Sequence, residues 1–180
     1  MNTLPELITG QVLLLVAPHA ARTGMLALAG RMAGSGPLRV LDGGNQFNAY
    51  HVAREVRREH LTGGDALNGI SLARAFTCFQ MEALLAAQAA APAPLLILDM
   101  LATFYDENVP FGEREWLLRR CTAHLARLRG HAPVAISARP PHAGQAEELQ
   151  LLALLEESAD RVWQLETPAA LILQPTLFQV

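Results

Sequence analysis

The feature that most restricts the fold is a set of short, nearly uninterrupted apolar runs. They are Val12-Leu13-Leu14-Leu15-Val16, Leu38 to Leu41, Leu95-Leu96-Ile97-Leu98 and Pro133 to Ser137. A strand with one face in water alternates apolar and polar residues. A strand apolar throughout is covered on both faces, as in the parallel sheets of α/β proteins. Between the runs lie stretches with apolar residues at helical spacing: Thr23 to Ala33, a segment capped by Asn48 and running to about His60, Cys78 to about Ala91, Glu113 to Arg129, and Glu147 to about Ser158. Ile70 to Phe76 adds a further strand, and Thr62-Gly63-Gly64-Asp65 reads as a loop. The alternation predicts one three-layer α/β domain over residues 1–180 with a mainly parallel sheet. Arg161 to Glu166, Ala170 to Gln174 and Thr176 to Val180 read as closing antiparallel strands, because the connections among them are too short for crossovers.

Composition removes several function classes. The net charge is −3, so no global basic field attracts nucleic acid, and any such contact has to be local. All 14 basic residues are arginines. Cys78 and Cys121 fall in apolar helical patterns and read as buried free thiols. No signal sequence and no membrane-spanning run are visible, which makes cytoplasmic the expected location and a membrane partner unexpected.

Val12 to Met25 reads as a strand, a loop and the start of a helix, the setting of a phosphate cradle. Its loop is Val16-Ala17-Pro18-His19-Ala20-Ala21-Arg22-Thr23, against the ideal G-x-x-x-x-G-K-[ST]. The length and Thr23 agree. Both glycines are missing, and Arg22 stands at the lysine position. Ala21 adds a Cβ where phosphate would lie close, and Pro18 removes one possible N–H donor. Two readings stay open. In one, Ala17, Pro18, His19, Ala20, Ala21, Arg22 and Thr23 form an altered nucleotide site. In the other they form a plain turn, with Thr23 helping to cap the helix.

With these motifs in order, the chain resembles the ATPase core of the RecA/RadA recombinases and their KaiC-like relatives. Val40-Leu41-Asp42-Gly43-Gly44-Asn45-Gln46-Phe47-Asn48 is similar to the family's Y-I-D-T-E-G-x-F segment. Ile70-Ser71-Leu72-Ala73-Arg74-Ala75-Phe76, followed by Gln80-Met81, is similar to its ARAF…Q segment, the most specific of the matches. Leu95 to Asp99 resembles Walker B, and Val134 to Arg139 lies where the family has a strand ending in Thr-Asn-Gln.

The resemblance implies a RecA-like P-loop NTPase fold, ATP and Mg²⁺ as cofactors, and Thr23 and Asp99 as the metal's contacts if nucleotide binds. It also places Gly44 at the family's water-activating Glu and Arg139 near its coupling Gln, so efficient hydrolysis is not expected. The family's first DNA loop falls on Tyr105 to Arg114, which is acidic, and the second on Arg139 to Gly144. Arg54, Arg57, Arg58, Arg139 and His142 are therefore the candidates for contact with DNA or a protein partner. The alternative account of the arginines at 54, 57 and 58 is a solvated helix face whose cations favour the dipole. The core begins at once in the chain, so filaments by the family's usual route are not expected, while a smaller homo-oligomer stays open.

The leading expectation is a RecA/RadA-like accessory or regulatory protein of DNA recombination or repair with a degenerate ATP site. One alternative is a DNA-dependent ATPase that uses Arg22 in place of the lysine. Another is a KaiC-like signalling or assembly scaffold without DNA binding.

Overall fold

The computed structural model describes residues 6–58 and 63–165. Six parallel strands form one sheet: β1 (Val12–Val16), β2 (Leu38–Asp42), β3 (Ile70–Arg74), β4 (Leu95–Leu98), β5 (Val134–Ala138) and β6 (Arg161–Gln164), in the spatial order β3-β2-β4-β5-β1-β6. Helices α1 (Arg22–Ser35), α2 (Ala49–Arg58) and α3 (Gly63–Asn68) lie in the steps that move toward β3. Helices α4 (Cys78–Ala86), α5 (Phe111–Arg129) and α6 (Ala146–Ser158) lie in the steps that move toward β6. Each group packs on its own face of the sheet, as the single hand of parallel crossovers requires.

The apolar runs explain the three layers residue by residue. In β1, Val12, Leu14 and Val16 face the layer of α4, α5 and α6, while Leu13 and Leu15 face α1 and α2. In β4, Leu95 and Ile97 take the first side and Leu96 and Leu98 the second. Alternate side chains point to opposite faces, so a strand covered on both sides must be apolar throughout. Helices α1 and α2 come into close contact at Gly30, where a Cβ would stand 2.7 Å from Glu55 Cβ.

Four sequence expectations are corrected. First, β6 is parallel to β1, with Leu13 opposite Arg161 and Val16 opposite Gln164. The 13-residue α6 supplies the crossover between β5 and β6, so β6 continues the wound sheet. The expected strands at 170–174 and 176–180 lie outside the described residues, as does the end of the second helix at His60. Second, residues 63–68 are helical, because Ala66 and Leu67 pack against the core under α1 and tertiary burial overrides the Gly-Gly pair. Third, α4 stops at Ala86, about a turn before the expected end. The Arg39 guanidinium draws the following segment off the helix by donating to the carbonyls of Ala89 (2.8 Å), Ala91 (3.4 Å) and Ala93 (2.6 Å). Fourth, Thr23 is the second residue of α1 and caps nothing: the N-cap is Ala21, without a side-chain hydrogen bond. Among the described residues no helix is long and apolar enough to cross a membrane.

Candidate functional site

In wound parallel sheets, ligands bind beyond the carboxyl ends of the strands, where successive connections leave for opposite faces. Here β2 and β4 are neighbours whose following helices lie on opposite faces, and so are β1 and β5. Three features converge on that end of the sheet: the loop after β1, Asp42 at the end of β2, and Asp99 directly after β4.

The loop after β1 does not form a glycine-type cradle. Pro18–Ala21 makes a short 3₁₀ turn in which His19 (φ 52°), Ala20 (φ 50°) and Ala21 (φ 51°) are all left-handed. Each such residue with a Cβ costs roughly 1–2 kcal/mol relative to right-handed backbone. The turn is held by Ala17 N donating to Ala138 O (3.1 Å), Ala20 N donating to Ala17 O (2.9 Å), and complete burial of Ala20. Arg22 and Thr23 follow as exposed residues of the first helical turn. Arg22 Nε donates to Gln46 O (3.2 Å), which turns the guanidinium toward the β2–α2 loop.

Asp42 and Asp99 are both fully buried, and both are engaged by the protein's own donors. Asp42 accepts the backbone N–H groups of Gln46 (2.9 Å) and Phe47 (2.9 Å) and lies 3.4 Å from Arg74 Nε. It therefore fixes the loop that follows its own strand. Asp99 Oδ2 accepts Arg139 Nε (2.9 Å), Arg139 Nη2 (2.5 Å) and Gln46 Nε2 (3.1 Å). Its Oδ1 accepts Arg139 N (3.3 Å), and its own N–H donates to Ser137 Oγ (3.0 Å). These hydrogen bonds to Asp99 hold the Arg139 guanidinium above its ordinary pKa, so the guanidinium stays charged. Tyr105 closes the group by donating from its hydroxyl to Arg139 O (3.3 Å). Burial first, then the Glu148 and Asp99 charges, push its phenol up, so it stays neutral.

This centre does not fit Mg²⁺ and the phosphates of ATP. A divalent ion would have to displace the guanidinium from Asp99. Gln46 Oε1 is buried there without a partner among the described residues, but one neutral amide oxygen falls short of the octahedral oxygen set that Mg²⁺ takes. Gly44, at the position of the family's water-activating Glu, has no room for any side chain: a Cβ would stand 2.5 Å from Asp99 Oδ2. The resemblance makes Asp99 a metal contact, whereas the structure makes it the counter-ion of Arg139.

The candidate contacts for DNA or a partner separate into two groups. Arg139 binds Asp99 through Nε and Nη2, while its side chain is 39% exposed. His142 donates its backbone N–H to Glu148 Oε2 (2.7 Å) and sets Nδ1 3.0 Å from the same atom, with the rest of the ring exposed. The segment from Tyr105 to Arg114, which runs into the first turn of α5, presents Asp106, Glu107 and Glu113 to solvent. Its single cation, Arg114, is buried, paired with Glu147 and donating to Phe104 O (3.1 Å). Arg54, Arg57 and Arg58 stand exposed on α2, with Arg58 3.0 Å from Glu55 and Arg54 3.7 Å from it. Cys78 and Cys121 are buried free thiols whose pKa values burial pushes up.

Sequence reasoning missed Gln46 and Ser137, which complete the shell of Asp99. The only signal was their position beside recognised segments. Among the described residues, fold and site together define a three-layer, all-parallel α/β architecture whose carboxylate centre is closed by its own arginine. Neither a known family model nor a curated protein matches this chain.

Proposed function

We propose that this protein is a RecA-like domain that does not hydrolyse ATP efficiently and acts as an accessory or regulatory partner in DNA recombination or repair. One observation carries the reading. The buried carboxylate that would hold Mg²⁺ in a nucleotide-hydrolysing relative is saturated by Arg139, near the position of the family's coupling Gln. The changes at Gly44, Ala21 and Arg22 point the same way: the two-residue gap from Asp42 to Gly44 carries no second carboxylate, and the loop holds alanines in glycine conformations. A domain of this kind keeps the core of an ATPase as a rigid platform and works through its surfaces.

Calorimetry with ATP and Mg²⁺ tests the catalytic half of the proposal. The expected result is no saturable binding and no phosphate release, with or without single-stranded DNA. The Ala21→Gly, Arg22→Lys double variant, which restores the last glycine and the lysine of the phosphate loop, is expected to remain inactive because Arg139 still occupies Asp99. Mg²⁺-dependent turnover abolished by Asp99→Asn would overturn the reading in favour of a true ATPase. A strand-exchange reaction run by a RecA-type recombinase tests the other half. Adding this protein should change the exchange rate, and an unchanged rate at excess protein would remove the recombination role.

A further inference from the structure

The face made by the first turns of α1 and α2 is built differently from the rest of the carboxyl end. Its cleft has a volume of about 230 Å³ and is lined by Arg22, Thr23, Leu26, Ala27, His51, Arg54 and Glu55. That is below the usual size of a pocket for a whole small molecule, and it suits one charged group of a larger ligand. Cationic or protonatable side chains reach the cleft from both helices: Arg22 from α1, His51 and Arg54 from α2. The helical period sets Tyr50, Arg54 and Arg57 on one side of α2. Tyr50 is 70% exposed and meets His51 edge-on, with centroids 6.1 Å apart at 82°. Tyr50 does not line the cleft itself, but as the neighbour of the cleft-lining His51 it offers an exposed aromatic ring beside it.

We infer that this α1–α2 face binds single-stranded nucleic acid, seating one backbone phosphate between Arg22 and Arg54 and stacking a base on Tyr50. Cations that follow the backbone, combined with an aromatic platform, are the means by which single strands are bound without sequence readout. The acidic member, Glu55, is half-buried and bridged by Arg54 and Arg58, so it presents little free negative charge to the ligand. An acidic protein segment would use the arginines but has no need of the ring, which is why the nucleic acid is favoured. Net charge −3 confines the attraction to this patch and predicts weak, salt-sensitive binding. The inference stands apart from the proposed function, because a phosphate at α2 requires no particular state of the Asp99 centre.

Fluorescence anisotropy of a labelled oligothymidylate of about 20 nucleotides is the test, with site sizes of roughly 4–16 nucleotides as the guide. The wild-type protein should bind in the micromolar range at low salt, and affinity should fall steeply as salt rises. The Arg54→Gln, Arg57→Gln pair should cost about tenfold or more and lower the salt slope by about two. Tyr50→Ala should cost about fivefold with the slope unchanged. Arg119→Gln, on α5 in the opposite helix layer and paired with Glu115, should change nothing. Circular dichroism confirms that each exposed-residue variant is folded. No binding at low salt, an equal loss in Arg119→Gln, or insensitivity to Tyr50→Ala would overturn the inference. Displacement by polyglutamate or by inorganic phosphate at matched charge would also overturn it, assigning the face to an acidic protein or a free anion.

Discussion

Arg139 and Arg54 carry the same charged group in opposite conditions. The Arg139 guanidinium is bound at two points to a buried carboxylate, and its backbone N–H is held by the same group. Arg54 stands on an exposed helix face, 3.7 Å from a half-buried glutamate. Removing the guanidinium from the first leaves a buried carboxylate with neutral donors alone, whereas the second is exposed to solvent. The difference shows where the chain's cations hold the fold together and where they remain open to a ligand. A count of arginines in the sequence cannot make that distinction.

The strongest way to break the comparison is Arg139→Met. It should destabilise the protein by about 3 kcal/mol in urea unfolding, since it strands Asp99 in the core, while Arg54→Gln should stay within about 0.5 kcal/mol of wild type. Adding Asp99→Asn to Arg139→Met should recover part of the loss, a coupling of about 1–3 kcal/mol that a double-mutant cycle reads directly.

Gly44→Ala comes next. Its methyl group would enter the space of the Asp99 carboxylate and should cost about 2 kcal/mol by the same measurement.

Asp160→Asn is expected to cost about 1 kcal/mol at neutral pH. Asp160 accepts the Val12 N–H (2.8 Å) and pairs with Arg129, and these contacts lower its carboxyl pKa. A lowered folded-state pKa gives stability that is present above the unfolded value near 3.8 and is lost as the pH falls through the folded value. The gap between wild type and Asp160→Asn in pH-dependent thermal melts should therefore shrink below about pH 4.

The smallest effect is expected at Ala21. Glycine relieves a left-handed Cβ but adds freedom to the unfolded chain, so Ala21→Gly should stabilise by about 0.5 kcal/mol.

The sheet was readable because its strands are buried on both sides. A run such as Val12 to Val16 has few other places to go, and β4 emerged at the boundaries expected from its residues. Where local signals were weak, tertiary contacts decided. Arg39 gathers three carbonyls and ends α4 early, and Ala66 and Leu67 make a helix after a Gly-Gly pair. The spacing among the last apolar runs suggests an antiparallel β6, but the crossover supplied by α6 makes it parallel.

For the site, the sequence placed Asp99 and Arg139 in the right regions but could not show that they meet, being 40 positions apart. The absence of glycine at Ala20 and Ala21 did not prevent left-handed backbone, because burial of Ala20 and the hydrogen bonds around the turn hold it there. The acidic character of Tyr105 to Arg114 is legible in the sequence, whereas the burial of Arg114, its one cation, is not.

The lack of a side chain at Gly44 also bears on the order in which mutations can be accepted. A glutamate introduced at that position alone collides with Asp99. Replacing Arg139 first exposes the core to an unbalanced charge. Each single step that would open the centre therefore passes through a less stable protein, while neutral change on the α2 face meets no such barrier. The closed centre acts as a one-way gate in sequence space, leaving the surface as the part of this fold freest to acquire new partners.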